Sequence, residues 1–161
     1  MDTVYVETTV VGSIAGRIHP NSTIAVQQQI TRKWWTTAAV RYRLFVSQLT
    51  IDECAAGDSD AAKERLDVVR GIDVIAPTEE AERLAELLLR RNAVPASQPR
   101  DALHIAVATV NRIQFISTWN FKHILNPHVQ TQIAKACRDG GFEVPVICTP
   151  QQLLETEDDN A

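Results

Sequence analysis

The sequence lacks a long hydrophobic run: no apolar stretch approaches the roughly 20 residues that a membrane-spanning helix needs. The first residues, Met1 to Tyr5, also lack the basic stretch and apolar core of a signal peptide. Cysteine is scarce, because only Cys54, Cys137 and Cys148 occur, odd in number and scattered. This pattern predicts neither a disulfide framework nor a zinc knuckle. We therefore expect a protein of the reducing cytoplasm with no membrane segment.

Positively charged residues are also fewer than negatively charged ones. The 161 residues include 16 basic and 20 acidic side chains, for a formal net charge of −4. A protein that holds nucleic acid by bulk charge alone is expected to be basic, so this balance argues against a passive nucleic-acid binder. With 45% hydrophobic residues, 6 glycines and 7 prolines, the composition is that of one globular domain.

Hydrophobic periodicity alternates between strand-like and helix-like patterns. Short β-branched or aromatic runs predict strands at 3–6, 44–46, 72–75, 113–116 and 142–148. Amphipathic stretches predict helices at 24–42, 47–56, 58–70, 78–91, 100–108 and 129–138. Pro145 favours an edge position for the last strand. The alternation predicts an α/β fold: one domain over 1–150, with a mostly parallel sheet of four to five strands and helices on both faces. Residues 151–161 are predicted to be a solvated acidic tail.

Polar residues stand where the predicted strands end, which is where open α/β sheets bind their ligands. They are Glu7, Thr8, Thr9 and Ser13 after the first strand, Glu53 in the helix after the second, Asp101 at the start of an apolar helix, and Asn120 and His123 after the fourth strand. A carboxylate on a core-facing helix is unfavourable without compensating positive charge. Several carboxylates at one crevice repel each other, and a divalent cation is the simplest way to hold them together.

Each of these acidic residues also has a structural explanation. An acid in the first turn of a helix, such as Asp101, is favoured by the helix dipole alone. Glu7 can simply cap a loop, and Asp52 replaces Glu53 as the inward residue if the short helix is rotated. His104, one turn after Asp101, is more often a core histidine than a ligand.

Four blocks of sequence carry a family resemblance. They are Val4-Tyr5-Val6-Glu7-Thr8-Thr9-Val10, Val46-Ser47 through Ile51-Asp52-Glu53 with Gly57-Asp58, Asp101-Ala102-Leu103-His104-Ile105-Ala106, and Thr118-Trp119-Asn120. In this order they resemble the PIN-domain nucleases, in particular the VapC-like toxins of bacterial toxin–antitoxin pairs. The likeness extends to about Thr149.

The resemblance implies a cytoplasmic endoribonuclease that cleaves RNA phosphodiester bonds with water activated on Mg²⁺ or Mn²⁺. It assigns Glu7, Glu53 and Asp101 to the acidic metal-binding positions, although most members have Asp at the first. Thr8 or Thr9 takes the hydroxyl position that holds the first carboxylate or a metal-bound water. The resemblance also implies a homodimer and a cognate antitoxin as partners. We expect Thr8, Thr9, Ser13 and His123 to contact substrate or the water around the metal.

Asn120 departs from the family pattern, in which many members carry Asp at this catalytic position. An amide carbonyl can bind a metal or orient its water, but it adds no negative charge. Some relatives with Asn here supply an acid three residues later, where this chain has His123. One metal is therefore well supported, and a second stays open.

Two other functions remain as alternatives. The first is a PIN-like module that has lost catalysis and binds RNA or a protein partner without cleavage. The second is a different phosphate-handling α/β enzyme with an aspartyl nucleophile. That enzyme needs Asp at the end of the first strand, and Glu7 argues against it.

Overall fold

The computed structural model describes the backbone of residues 1–159 and the side chains of residues 1–155. The strands of this part are β1 (Asp2–Val6), β2 (Tyr42–Ser47), β3 (Asp73–Ile75), β4 (Phe115–Ser117) and β5 (Val146–Cys148). The helices are α1 (Thr8–Ile14), α2 (Ser22–Arg41), α3 (Gln48–Cys54), α4 (Ser59–Val69), α5 (Glu79–Arg90), α6 (Pro99–Val110), α7 (Pro127–Asp139) and α8 (Pro150–Asp159). The strands form one sheet in the order β3-β2-β1-β4-β5, and every pairing is parallel. The predicted α/β class is confirmed.

Strand β1 lies at the centre of the sheet because its side chains are apolar on both faces. Val4, Tyr5 and Val6 are all fully buried, as a central parallel strand requires. Successive side chains point to opposite faces. Tyr5 accordingly packs with residues of α5, α6 and α7, while Val4 and Val6 pack with residues of α1 and α2. Helices therefore cover both faces, as predicted.

The strand order places a switch point between β1 and β4. From β1 the chain moves outward through β2 to β3, and it then crosses to β4 and β5 on the other side. In sheets of this kind, the connections that follow the two strands at the switch point leave in opposite directions, and the crevice between them is the usual ligand site. The fold thus brings the polar residues after the first and fourth strands to one place.

Helix α1, directly after β1, and strand β5 differ from the sequence-based expectations. Helix α1 was not predicted, and it forms because the Glu7 side chain caps it and Val10 and Val11 are fully buried. Strand β5 is shorter than the predicted 142–148 and begins after Pro145, which has no N–H to give to the ladder. It is an edge strand, as predicted.

The segment after residue 150 begins as a helix that packs on the domain. The expectation of a solvated tail from residue 151 is wrong for Leu153, which is 5% exposed and joins the same hydrophobic cluster as Trp34 of α2. The acidic side chains from Glu157 onward, also assigned to that tail, lie outside the described residues. Within the described part of the chain, no helix is both long and apolar enough to cross a membrane.

Candidate metal centre

Glu7 is held in a buried position immediately after β1. Its Oε2 accepts a hydrogen bond from the Thr9 backbone N–H at 2.5 Å. Its Oε1 accepts from the hydroxyls of Thr9 at 3.2 Å and Thr118 at 3.1 Å. The side chain is 2% exposed, and this burial raises the pKa of Glu7, although the His104 charge and the hydrogen bonds lower it in part. Folding therefore makes the ionised form of Glu7 costly.

Glu53 reaches the same crevice from the end of α3. Its Oε1 accepts hydrogen bonds from Thr8 Oγ1 at 2.8 Å and from His104 Nε2 at 2.5 Å. Burial by itself raises the pKa of Glu53, but the hydrogen bond and charge of His104, with the Thr8 hydroxyl, outweigh it and lower the pKa. Asp52 instead is exposed and accepts from Gln48 Nε2 at 3.0 Å. Helix α3 thus turns Glu53, and not Asp52, toward Thr8 and His104.

Asp101 is half-buried in the first turn of α6. Burial raises its pKa, while the Asn120 amide and the charges of His123 and His104 lower it. The Glu53 charge raises the pKa of Asp101 further, which shows that the two carboxylates lie within electrostatic reach. Asn120 Oδ1 already accepts from the His123 backbone N–H at 3.1 Å. The amino group of Asn120 is therefore the end left to donate to Asp101.

The hydroxyl residues of the crevice divide into two groups. Thr8 and Thr9 each donate to a carboxylate, Thr8 to Glu53 and Thr9 to Glu7. Thr9 Oγ1 also accepts from the Trp119 backbone N–H at 2.9 Å and so joins α1 to the loop after β4. Ser13 Oγ instead donates to the Thr9 carbonyl in its own helix at 2.9 Å. A contact of Ser13 with substrate stays a prediction.

Two functional candidates were not assigned from the sequence. Thr118 donates to Glu7, and its position directly after β4, two residues before Asn120, is the signal that points to it. His104 contacts Glu53, and its spacing of three residues from Asp101 places both on one face of α6. Both residues support carboxylates in the crevice.

The donor set suits a hard divalent cation. Three carboxylates and an amide are oxygen donors of the kind that Mg²⁺ and Mn²⁺ prefer. Both hydrogen bonds of Glu53 fall on Oε1, which leaves Oε2 available. The repulsion between Glu53 and Asp101 is what a bound cation would relieve. In the described residues, no group of three acidic, histidine or cysteine side chains lies close enough together to hold a metal ion. The residues therefore fit the cation in their chemistry, and their side chains must move together to surround it.

Comparisons with known proteins identify the family and the fold. The PIN domain family matches residues 4–122, a range that includes all three carboxylates and Asn120. The fold is similar to that of VapC20 from Mycobacterium tuberculosis, a toxin that cleaves the sarcin–ricin loop, with a TM-score of 0.56 and 17% sequence identity. That similarity covers 74% of this chain and 91% of VapC20. A search of curated protein sequences finds no match. The match over residues 4–122 shows that the chain belongs to the PIN domain family.

Proposed function

We propose that this PIN domain is a metal-dependent endoribonuclease. The observation that carries the proposal is the placement of Glu7, Glu53 and Asp101 around one crevice at the switch point of the sheet, each held by hydrogen bonds or charge. Mg²⁺ or Mn²⁺ held there would polarise a phosphoryl oxygen and lower the pKa of bound water from about 15.7 toward 7. A phosphodiester substrate supplies the oxygen that such a site needs.

The chain's own residues orient these carboxylates. Thr9 and Thr118 hold Glu7, and the amide of Asn120 faces Asp101. Asn120 brings no charge, so three carboxylates support one cation better than two. Its Oδ1 is engaged by the His123 backbone, which favours Asn120 as the residue that orients Asp101 rather than as a metal ligand.

The rim of the crevice has features that suit single-stranded RNA. Lys122 is exposed beside Asn120, and Arg100 is exposed next to Asp101 and lowers the pKa of Glu53 by its charge. These cations can meet the phosphates on either side of the cleaved bond. Phe121 is 54% exposed, and an exposed aromatic ring offers a surface on which an unpaired base stacks. Local cations therefore offset the overall charge of −4.

We further propose that the protein acts as a VapC-like toxin in the cytoplasm, as a homodimer whose site a cognate antitoxin blocks. The fold shared with the toxin VapC20 supports this proposal. The three cysteines are free and buried, which suits a reducing compartment. Co-expression with the product of an adjacent small reading frame tests the pairing: we expect a stable complex in which RNA cleavage is lost.

A PIN-like module that binds without cleaving is the second candidate, and Asn120 in place of a fourth carboxylate favours it. Cleavage of a mixed RNA pool with Mn²⁺ separates the two functions. We expect wild type to cleave, chelation by EDTA to stop it, and Glu7→Gln and Asp101→Asn each to lose more than about 100-fold of the rate. Asp52→Asn is the matched control, because Asp52 is exposed and faces away.

Each outcome of this assay has a distinct meaning. Wild-type protein that binds RNA but cleaves none at any Mn²⁺ concentration would establish the binding module. Full activity in both Glu7→Gln and Asp101→Asn would show that the cleavage does not depend on these carboxylates.

A further inference from the structure

A buried cluster of polar side chains lies directly behind the carboxylates. The Tyr5 hydroxyl is 2.7 Å from Ser47 Oγ, 2.6 Å from His104 Nδ1 and 3.3 Å from Thr50 Oγ1. All four side chains are at most 2% exposed. The rings of Tyr5 and His104 also meet edge to face, with their centroids 5.7 Å apart. All four side chains have hydrogen-bond partners, and a fully satisfied buried polar network makes its part of the core rigid.

The cluster joins the three elements that supply the carboxylates. Tyr5 lies on β1, and Glu7 is the extended residue directly after that strand, two residues further on. The alternation of an extended chain therefore places both side chains on one face of the sheet. Ser47 and Thr50 form the capping box of α3, the helix that carries Glu53. His104 follows Asp101 by one turn on the same face of α6. Each of the three carboxylates therefore has a residue of the hydrogen-bonded cluster on its own helix or on the strand directly before it.

The hydrogen bonds of the cluster end on Glu53. A carboxylate only accepts hydrogen bonds, so His104 Nε2 donates to Glu53 Oε1. The other nitrogen, Nδ1, accepts from the Tyr5 hydroxyl when the imidazole is neutral and donates to the Tyr5 oxygen when it is charged, so Tyr5 holds the ring in both forms. Such a partner on the far nitrogen fixes the tautomer and the ring orientation of a histidine. These hydrogen bonds end on Oε1, and Oε2 of Glu53 takes part in neither of them.

We propose that Tyr5 and His104 are positioning residues of the metal centre, which hold the Glu53 carboxylate at a set orientation relative to Glu7 and Asp101. This role rests on the proposed function, because it requires the carboxylates to bind a divalent cation. His104 does not itself bind the cation in this arrangement, since both ring nitrogens are engaged by Tyr5 and Glu53.

The first test measures Mn²⁺ binding to the purified protein by calorimetry. Tyr5→Phe removes one hydroxyl and keeps the ring, and we expect a native circular dichroism spectrum with Mn²⁺ affinity lowered about 10–100-fold. The control is Thr109→Val, which removes a buried hydroxyl from the same helix as His104. Thr109 Oγ1 donates to the Ile105 carbonyl at 2.7 Å and also hydrogen-bonds with the Cys137 side chain, and neither partner belongs to the cluster. We expect Thr109→Val to bind Mn²⁺ as wild type does.

The second test compares two amide substitutions at His104. A glutamine amide reaches the place of Nε2 and can still donate to Glu53, whereas an asparagine amide reaches only the place of Nδ1. We therefore expect His104→Gln to keep Mn²⁺ affinity within about tenfold of wild type and His104→Asn to lose more. If His104 only fills the core, the two variants have equal Mn²⁺ affinity.

The outcomes separate this role from the proposed function. If wild type, Tyr5→Phe and His104→Asn all bind Mn²⁺ equally well, Tyr5 and His104 do not position Glu53, and the metal centre is still supported. Wild type that binds no Mn²⁺ overturns the metal centre, and the positioning role with it. A selective loss in Tyr5→Phe and His104→Asn, with Thr109→Val unchanged, establishes the role.

Discussion

Glu7→Gln is expected to stabilise the metal-free protein while it removes the response to Mn²⁺. Burial raises the pKa of Glu7, which means that folding disfavours its ionised form. Glutamine has nearly the same shape, and its carbonyl can still accept from the Thr9 backbone N–H. The hydroxyls of Thr9 and Thr118 can reorient to accept from its amino group.

The magnitude follows from the three hydrogen bonds and the burial of the side chain. Replacing three charge-assisted bonds by neutral ones costs about 1 kcal/mol each, or about 3 kcal/mol together. Taking an ionised carboxylate out of water costs several kcal/mol, and the substitution removes that cost. We therefore expect a net gain on the order of 1 kcal/mol in the free energy of unfolding. For a chain of this length the gain raises the Tm by about 2–4 °C.

The pH dependence of this gain is fixed by the direction of the pKa shift. A carboxyl whose pKa is raised by folding contributes stability below its unfolded-state pKa and loses it as the pH rises through the folded-state pKa. The Tm advantage of Glu7→Gln is thus full only above the raised folded-state pKa and disappears as the pH falls toward about 4.3, the ordinary glutamate value.

Thermal unfolding with EDTA and with Mn²⁺ measures both effects. Mn²⁺ at 100 times its Kd adds about 2.7 kcal/mol to a protein that binds it when folded, and we expect this shift in wild type and not in Glu7→Gln. A metal-free Tm of Glu7→Gln below that of wild type at pH 8 would mean that the hydrogen bonds of the Glu7 carboxylate outweigh the cost of its burial. The full Mn²⁺ shift in Glu7→Gln would mean that Glu7 does not bind the cation.

Three further predictions concern single residues. Glu53→Gln is expected to lower the rate of RNA cleavage by more than about 100-fold, and Asp52→Asn is expected to leave it unchanged. Equal cleavage rates in the two variants would mean that Glu53 does not bind the metal ion. Asn120→Asp places a charge beside Asp101, so we expect a lower metal-free Tm and about tenfold tighter Mn²⁺ binding in calorimetry, because affinity rises with ligand charge. Leu153→Ala is expected to cost about 2–5 kcal/mol in urea unfolding, whereas a change within about 0.5 kcal/mol would mean that α8 behaves as a tail.

Periodicity was enough to predict the sheet, and the polar residues at the ends of its strands indicate where we expect the site. The run Val4-Tyr5-Val6 has no polar face, and this pattern is typical of a strand that is buried on both faces of a parallel sheet. The choice between Asp52 and Glu53 was not decided by periodicity, since a seven-residue helix is too short to show a clear face. The Ser47–Thr50 capping box settles it by fixing where α3 begins.

Features that depend on contacts between residues far apart in the sequence could not be predicted from local patterns. Helix α1 is short, and isolated helices of that length are unstable without packing and capping. Leu153 stands among polar and acidic residues, and only the contact with α2 shows that it is buried. The hydrogen bond between Tyr5 and His104 joins residues 99 positions apart, and no local spacing predicts it.

The most direct test of the metal centre is anomalous diffraction from crystals grown with saturating Mn²⁺. We expect an anomalous peak beside the carboxylate oxygens of Glu7, Glu53 and Asp101, in the crevice between the loops that follow β1 and β4. Crystals of Glu7→Gln under the same conditions should lack that peak. No peak in the crevice of the wild-type crystals, or the same peak in the Glu7→Gln crystals, would show that these carboxylates do not form a metal centre.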